Sequence, residues 1–183
     1  NRGLVLCDVG PQGAVGSLQT HLRGLGYELE DIWLVVLTHH DGDHAGGLSE
    51  LETHVDAVVA THRDEAPYVA GERDPIKGGG DRYPPVSVDI ELTDEVRVPT
   101  VAGPMEVVAT PGHAPGHVSL YFPDGNLLVA GDALVADGTE PLDGPKPAFT
   151  PDMDQAIESV GTLAALEIDH TVCYHGGYVP QGT

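Results

Sequence analysis

The stretch Thr38-His39-His40-Asp41-Gly42-Asp43-His44-Ala45-Gly46-Gly47 follows directly on the apolar run Ile32-Trp33-Leu34-Val35-Val36-Leu37. The run is short, rich in β-branched residues and bounded by polar ones, so it reads as a buried strand. The cluster behind it then lies at a sheet edge, with Gly42 free to take backbone angles that other residues avoid. Three imidazoles and two carboxylates within six residues exceed what a solvated loop needs. Alternation of side chains divides them into two sets, His39 with Asp41 and Asp43 with His44. Two cation positions sharing one loop is the economical explanation.

Working outward, Leu4 to Gly10 reads as a strand ending in a Gly-Pro turn. Asp8 at its end could hold a ligand histidine by hydrogen bond or simply form the turn. Val15, Leu18, Leu22 and Leu25 recur at helical spacing, and Gly46 to Leu51 should open a short helix. Ala57 to Ala60 is a further strand, and the strand-helix-strand order predicts parallel pairing. His62 after it reads as a surface position. Residues 71–85 form the longest irregular stretch, with Gly78-Gly79-Gly80 and with Arg73, Lys77 and Arg82. From Val86 to Val108 alternating short strands predict an antiparallel meander.

The second half carries more candidate ligands. His113 stands between Pro-Gly turns in Thr110-Pro111-Gly112-His113-Ala114-Pro115-Gly116-His117, rigidly aimed after a strand. His117, opening the strand Val118 to Phe122, reads as a supporting residue. Leu127 to Ala130 is a strand delivering Gly131-Asp132, and Thr171 to Tyr174 is one delivering His175. Between them Pro151 to Leu166 reads as a helix, with Thr150 as its cap and Pro151 at its first position.

The 183 residues predict a single domain spanning 1–183, long enough to bury a core. No apolar run approaches the about 18 residues that cross a bilayer, and no leader is visible, so the expected location is the cytoplasm. Cys7 and Cys173 sit in apolar strand-like runs and read as core thiols. The net charge is −21, with 29 acidic and 8 Lys and Arg residues. That charge repels phosphate backbones and speaks against a nucleic-acid partner. It resembles the surfaces of proteins from salt-loving organisms. The expected partner is a small-molecule substrate, with no membrane and no nucleic acid.

His39, Asp41, Asp43, His44, His113, Asp132 and His175 all fall at strand ends or tight turns. Nitrogen and carboxylate donors without thiolate suit Zn, Fe or Mn. Seven candidates exceed a closed structural zinc site and fit two divalent ions with open positions.

Together, residues 38–47, His113 in TPGHxPGH, Asp132 in AGDAL and His175 in CYHGG resemble the metallo-β-lactamase superfamily, in the same order and spacing. The resemblance runs from about residue 4 to about residue 178. It implies an α/β fold, a four-layer αββα sandwich, in the branch of glyoxalase II-like and lactonase-like hydrolases. It implies that His39, Asp41 and His113 hold one metal, that Asp43, His44 and His175 hold the second, and that Asp132 bridges. The family's usual loop reads THxHxDH, whereas this chain reads THHDGDH. Asp41 therefore stands where the second histidine is expected, a harder ligand that favours Fe or Mn more than imidazole does. The expected function is a metal-dependent hydrolase of a small ester, thioester or lactone, through a hydroxide bridging two metal ions, most simply Zn, with Asp43 orienting it or carrying its proton. The competing expectation is a non-haem iron redox enzyme of the same fold, like diiron oxygen or nitric oxide reductases or sulfur dioxygenases.

Overall fold

The computed structural model describes residues 3–77, 82–136 and 142–180. The triple glycine at 78–80 lies outside them. The chain divides into two compact units, Asn1–Leu92 and Thr93–Thr183.

The first unit is built on a four-stranded parallel sheet, in the order β1 (Leu4–Cys7), β2 (Ile32–Leu37), β3 (Val58–His62), β4 (Ile90–Leu92). β2 begins and ends where the apolar run does. Apart from Trp33 it is buried throughout, as a central parallel strand covered on both faces must be. Each fully buried Leu or Val there contributes about 1.5–3 kcal/mol by leaving water. Helix α1 (Val15–Gly24) connects β1 to β2, and its apolar stripe, Val15, Leu18 and Leu22, packs in one core with Val35, Leu37 and Val59. After β2 come α2 (Gly42–Ala45) and α3 (Leu48–Leu51), and after β3 comes α4 (Ala66–Val69).

The second unit holds a six-stranded sheet, in the order β10 (Gly177–Val179), β9 (His170–Cys173), β8 (Leu127–Gly131), β7 (Val118–Phe122), β6 (Gly103–Ala109), β5 (Arg97–Thr100). β5 to β8 pair antiparallel through hairpins. β8 and β9 pair parallel, which requires a crossover, and helix α5 (Met153–Leu163) lies in that connection.

Four expectations are corrected. The meander predicted from Val86 begins only at β5, because β4 pairs parallel with β3 in the first sheet. Gly42 is the first residue of α2 and not a strained turn glycine. Thr150 does not cap α5: Asp152 does, accepting from the Gln155 N–H at 3.0 Å. His62 ends β3 and is buried, 8% exposed, instead of lying at the surface. Among the described residues, no helix is long and apolar enough to cross a membrane.

Candidate metal centre

In the first unit, the loop after β2 carries four of the predicted ligands. His39 lies two residues past the end of β2, Asp41 occupies the N-cap position of α2, and Asp43 and His44 lie within that single helical turn. The helix explains how residues adjacent in sequence serve one locus, which alternation alone does not. His39 Nε2 is 3.2 Å from Asp41 Oδ2, and His44 Nε2 is 3.8 Å from Asp43 Oδ2. His39 and His44 are fully buried and Asp43 is half exposed. The two imidazole rings meet at 4.1 Å between centroids.

Asp8 sets the chemistry of both rings. Its Oδ1 accepts from the Thr38 N–H at 2.7 Å, and its Oδ2 accepts from the Thr38 hydroxyl and from His44 Nδ1, both at 2.8 Å. A carboxylate only accepts, so the His44 proton is on Nδ1. The Thr38 hydroxyl spends its proton on Asp8 and accepts from His39 Nδ1 at 3.0 Å. Both rings are therefore fixed in the tautomer whose Nε2 carries a lone pair, the form a cation needs. Asp8 adopts φ 58°, a left-handed backbone that Asp tolerates better than most residues.

Three contacts to this loop had no signal in the sequence. Lys77 Nζ pairs with Asp41 Oδ2. Glu65, fully buried, accepts from the His40 N–H at 2.9 Å and also contacts His40 Nδ1. The Tyr83 hydroxyl donates to the His40 carbonyl at 2.8 Å. His40 is thus buried and stacked on Tyr68 at 4.2 Å, with its Nε2 4.0 Å from Asp41 Oδ1.

In the second unit, three more of the predicted residues converge. Asp132 Oδ2 lies 3.3 Å from His113 Nε2 and 3.4 Å from His175 Nε2. One carboxylate oxygen thus lies close to two imidazole nitrogens, donors of the kind a divalent cation takes. The turns that aim the two histidines admit no side chain beside them. A Cβ on Gly112, at φ +126°, would sit 2.4 Å from the Ala156 nitrogen, and one on Gly176, at φ +113°, 1.8 Å from the Ala136 oxygen. His117 supports Asp132 as expected: its Nε2 accepts from the Asp132 N–H at 3.0 Å. Its Nδ1 then donates to Thr110 Oγ1 at 2.8 Å, and Thr110, Ser119 and the Ala130 carbonyl continue the chain. With both nitrogens committed, His117 has no lone pair to offer an ion.

Cys173 is a core thiol as expected, whereas Cys7, on the outer strand β1, is only partly buried by its neighbours. Burial, and then the neighbouring carboxylates Asp8 and Asp132, push Cys7 up to about 12 and Cys173 up to about 11.

The donor set in each unit is imidazole and carboxylate, with the tautomers of His39 and His44 fixed, which fits divalent cations. The family described as the metallo-beta-lactamase superfamily matches residues 1–175. The chain belongs to the metallo-β-lactamase superfamily. Membership implies divalent metal ions, and both units contain residues suited to hold them. The chain is 35% identical over 201 residues to the Bacillus subtilis protein named "Probable metallo-hydrolase YflN", covering 94% of this chain and 75% of that one. It is 30% identical over 158 residues to a hydroxyacylglutathione hydrolase of Cereibacter sphaeroides, covering 86% of this chain and 52% of that one. The chain thus spans about half the length of the hydroxyacylglutathione hydrolases it matches. A metallo-beta-lactamase family protein from Thermus thermophilus superposes with a TM-score of 0.72 at 27% identity, over 98% of this chain and 66% of that chain. The metallo-β-lactamase fold implied by the motifs is the fold of this chain, and its relatives place it among metallo-hydrolases.

Proposed function

We propose that this chain hydrolyses a small ester, thioester or lactone, using two divalent cations held by His39, Asp41, Asp43, His44, His113, Asp132 and His175. The observation that carries the reading is Asp132, whose one oxygen is within 3.4 Å of two imidazole nitrogens. Membership of the superfamily supports it. So does similarity to hydroxyacylglutathione hydrolases, which by that name hydrolyse a hydroxyacyl-glutathione.

His39, Asp41 and His113 would hold one ion, Asp43, His44 and His175 the other, with Asp132 shared. Such ions supply Lewis acidity and make water acidic enough to ionise near neutral pH. The protein's own part is positional. Asp8, directly and through Thr38, keeps the Nε2 lone pairs of His44 and His39 available to an ion. Asp43, half exposed at the first turn of α2, is placed to accept the proton of an attacking water and hold it until the leaving oxygen or sulfur departs. Zn is the simplest occupant. A second reading, iron in a redox enzyme, is favoured by Asp41 alone, a harder donor than the imidazole it replaces.

The test is metal analysis of protein purified without added metal, alongside a panel of lactones, thioesters and phosphodiesters. Two equivalents of metal and turnover of an acyl substrate are expected, and Asp132→Ala should lose both turnover and bound metal. Full activity in Asp132→Ala would end the proposal; iron with oxygen consumption and no hydrolysis would replace it by the redox reading.

A further inference from the structure

Residues 39–41 lie beyond the end of β2, where sheet hydrogen bonding no longer fixes the backbone. Two side chains from later in the unit take over that role at a single residue. Glu65 Oε2 accepts from the His40 N–H at 2.9 Å, and the Tyr83 hydroxyl donates to the His40 carbonyl at 2.8 Å. The N–H belongs to the peptide that joins His39 to His40, and the carbonyl to the peptide that joins His40 to Asp41. Holding both peptide planes fixes the torsions between the two ligand α-carbons. The imidazole of His40 acts as the handle, paired through Nδ1 with the same Glu65 oxygen and stacked on Tyr68 with an interplanar angle of 15°.

We propose that Glu65 and Tyr83 are positioning residues for the first cation, setting the bite between His39 and Asp41 through the peptide groups of His40. This rests on the reading that His39 and Asp41 hold a metal. Two features separate the arrangement from ordinary loop packing. Glu65 is fully buried, and a buried carboxylate is a costly means of holding a loop unless its donors are fixed in place. Tyr83 remains a donor at any working pH, because burial and the charges of Glu65 and Asp41 push its hydroxyl well above its ordinary range. The residue between the two ligands is thereby committed to the scaffold. This accounts for a histidine in the motif that is not placed as a ligand.

The test uses the full chain with Tyr83→Phe, which deletes one hydroxyl and keeps the ring, and with Glu65→Gln. Tyr121→Phe serves as control, since it removes an equivalent hydroxyl-to-carbonyl bond, to Glu167 at 2.8 Å, in the other unit. Zn2+ affinity is read by competition with a chromophoric chelator, ligand geometry from the visible spectrum of the Co2+-loaded protein, and stability from urea unfolding of stripped protein. Tyr83→Phe and Glu65→Gln should weaken the first Zn2+ about 10–100-fold, the range for losing a partner behind a metal ligand, and should change the Co2+ spectrum. Tyr121→Phe should lower the urea midpoint and leave affinity and spectrum as in the parent. Should Glu65→Gln fail to fold, Tyr83→Phe decides. An unchanged Co2+ spectrum with Zn2+ affinity within about twofold of the parent in Tyr83→Phe overturns the inference. If the parent protein takes up no Zn2+ or Co2+, the underlying metal reading is overturned, and this inference with it.

Discussion

Replacing Asp8 by Asn changes one oxygen to an amide nitrogen and keeps the shape. The left-handed backbone at φ 58° also suits Asn, so no conformational strain is added. The amide oxygen can still accept from the Thr38 N–H. Its NH2 group would face the His44 Nδ1–H, two donors at a distance that is now 2.8 Å. The cheapest relief is a tautomer change: His44 moves its proton to Nε2 and accepts from the new amide through Nδ1. That restores a hydrogen bond and exchanges charged partners for neutral ones, at a cost of about 1–2 kcal/mol in stability. It also removes the lone pair from the nitrogen assigned to the cation. Metal affinity at that position should fall about 10–100-fold, while the stripped protein loses only that modest stability. Urea unfolding of the stripped protein and chelator competition on the loaded one measure the two effects separately. Unchanged Zn2+ affinity in Asp8→Asn, with the protein folded, would refute the tautomer argument. A large loss of stability with intact affinity would refute it equally.

Three further outcomes are expected. His117→Phe keeps the ring volume and strands the Asp132 N–H, while the Thr110 hydroxyl loses one donor and keeps Ser119, so thermal unfolding should report a loss of about 1–3 kcal/mol; a stability equal to the parent's would contradict the chain drawn through His117. Gly176→Ala drives a methyl group into the Ala136 carbonyl at a positive φ and should cost at least about 2–4 kcal/mol, seen as a lowered melting temperature. The thiols of Cys7 and Cys173 ionise at about 12 and about 11 in the folded chain, against an ordinary 9.0. The unfolded chain therefore ionises first, and their contribution to stability is complete below about pH 9 and is lost as pH rises through the folded values. The double Cys→Ala variant should show a shallower alkaline fall in the unfolding midpoint, and an identical fall would refute this.

What the sequence made legible was local. The run Ile32–Leu37 is bounded by polar residues and consists of apolar side chains, so period and length alone delimit β2. His113, Asp132 and His175 each follow a strand and stand beside a glycine, a pattern that needs no knowledge of the partner. The helical placement of Asp43 and His44 was not legible, since four residues are too few to show a period. Nor was the pairing of β4 with β3: Ile90-Glu91-Leu92 carries the alternation of any short strand, and only the fold decides which sheet it joins. β10 had no signal because Gly176-Gly177 reads as a terminal loop. Glu65, Tyr83 and Lys77 were silent for a different reason. Their roles depend on reaching a loop 25 or more residues away, and isolated Glu, Tyr and Lys residues are common on any surface.

The parallel pairing of β8 with β9 has a kinetic consequence. His113 reaches Asp132 by way of adjacent hairpins, which close quickly because little chain entropy is lost. His175 arrives only after the segment containing α5 has folded back over the sheet, a slower, less local event. Ions bound through Asp132, His113 and His175 therefore favour chains whose last strands have docked, and mass action enlarges that docked population. Amide exchange in β9 should slow on adding Zn2+, while the hairpin β6–β7 responds less.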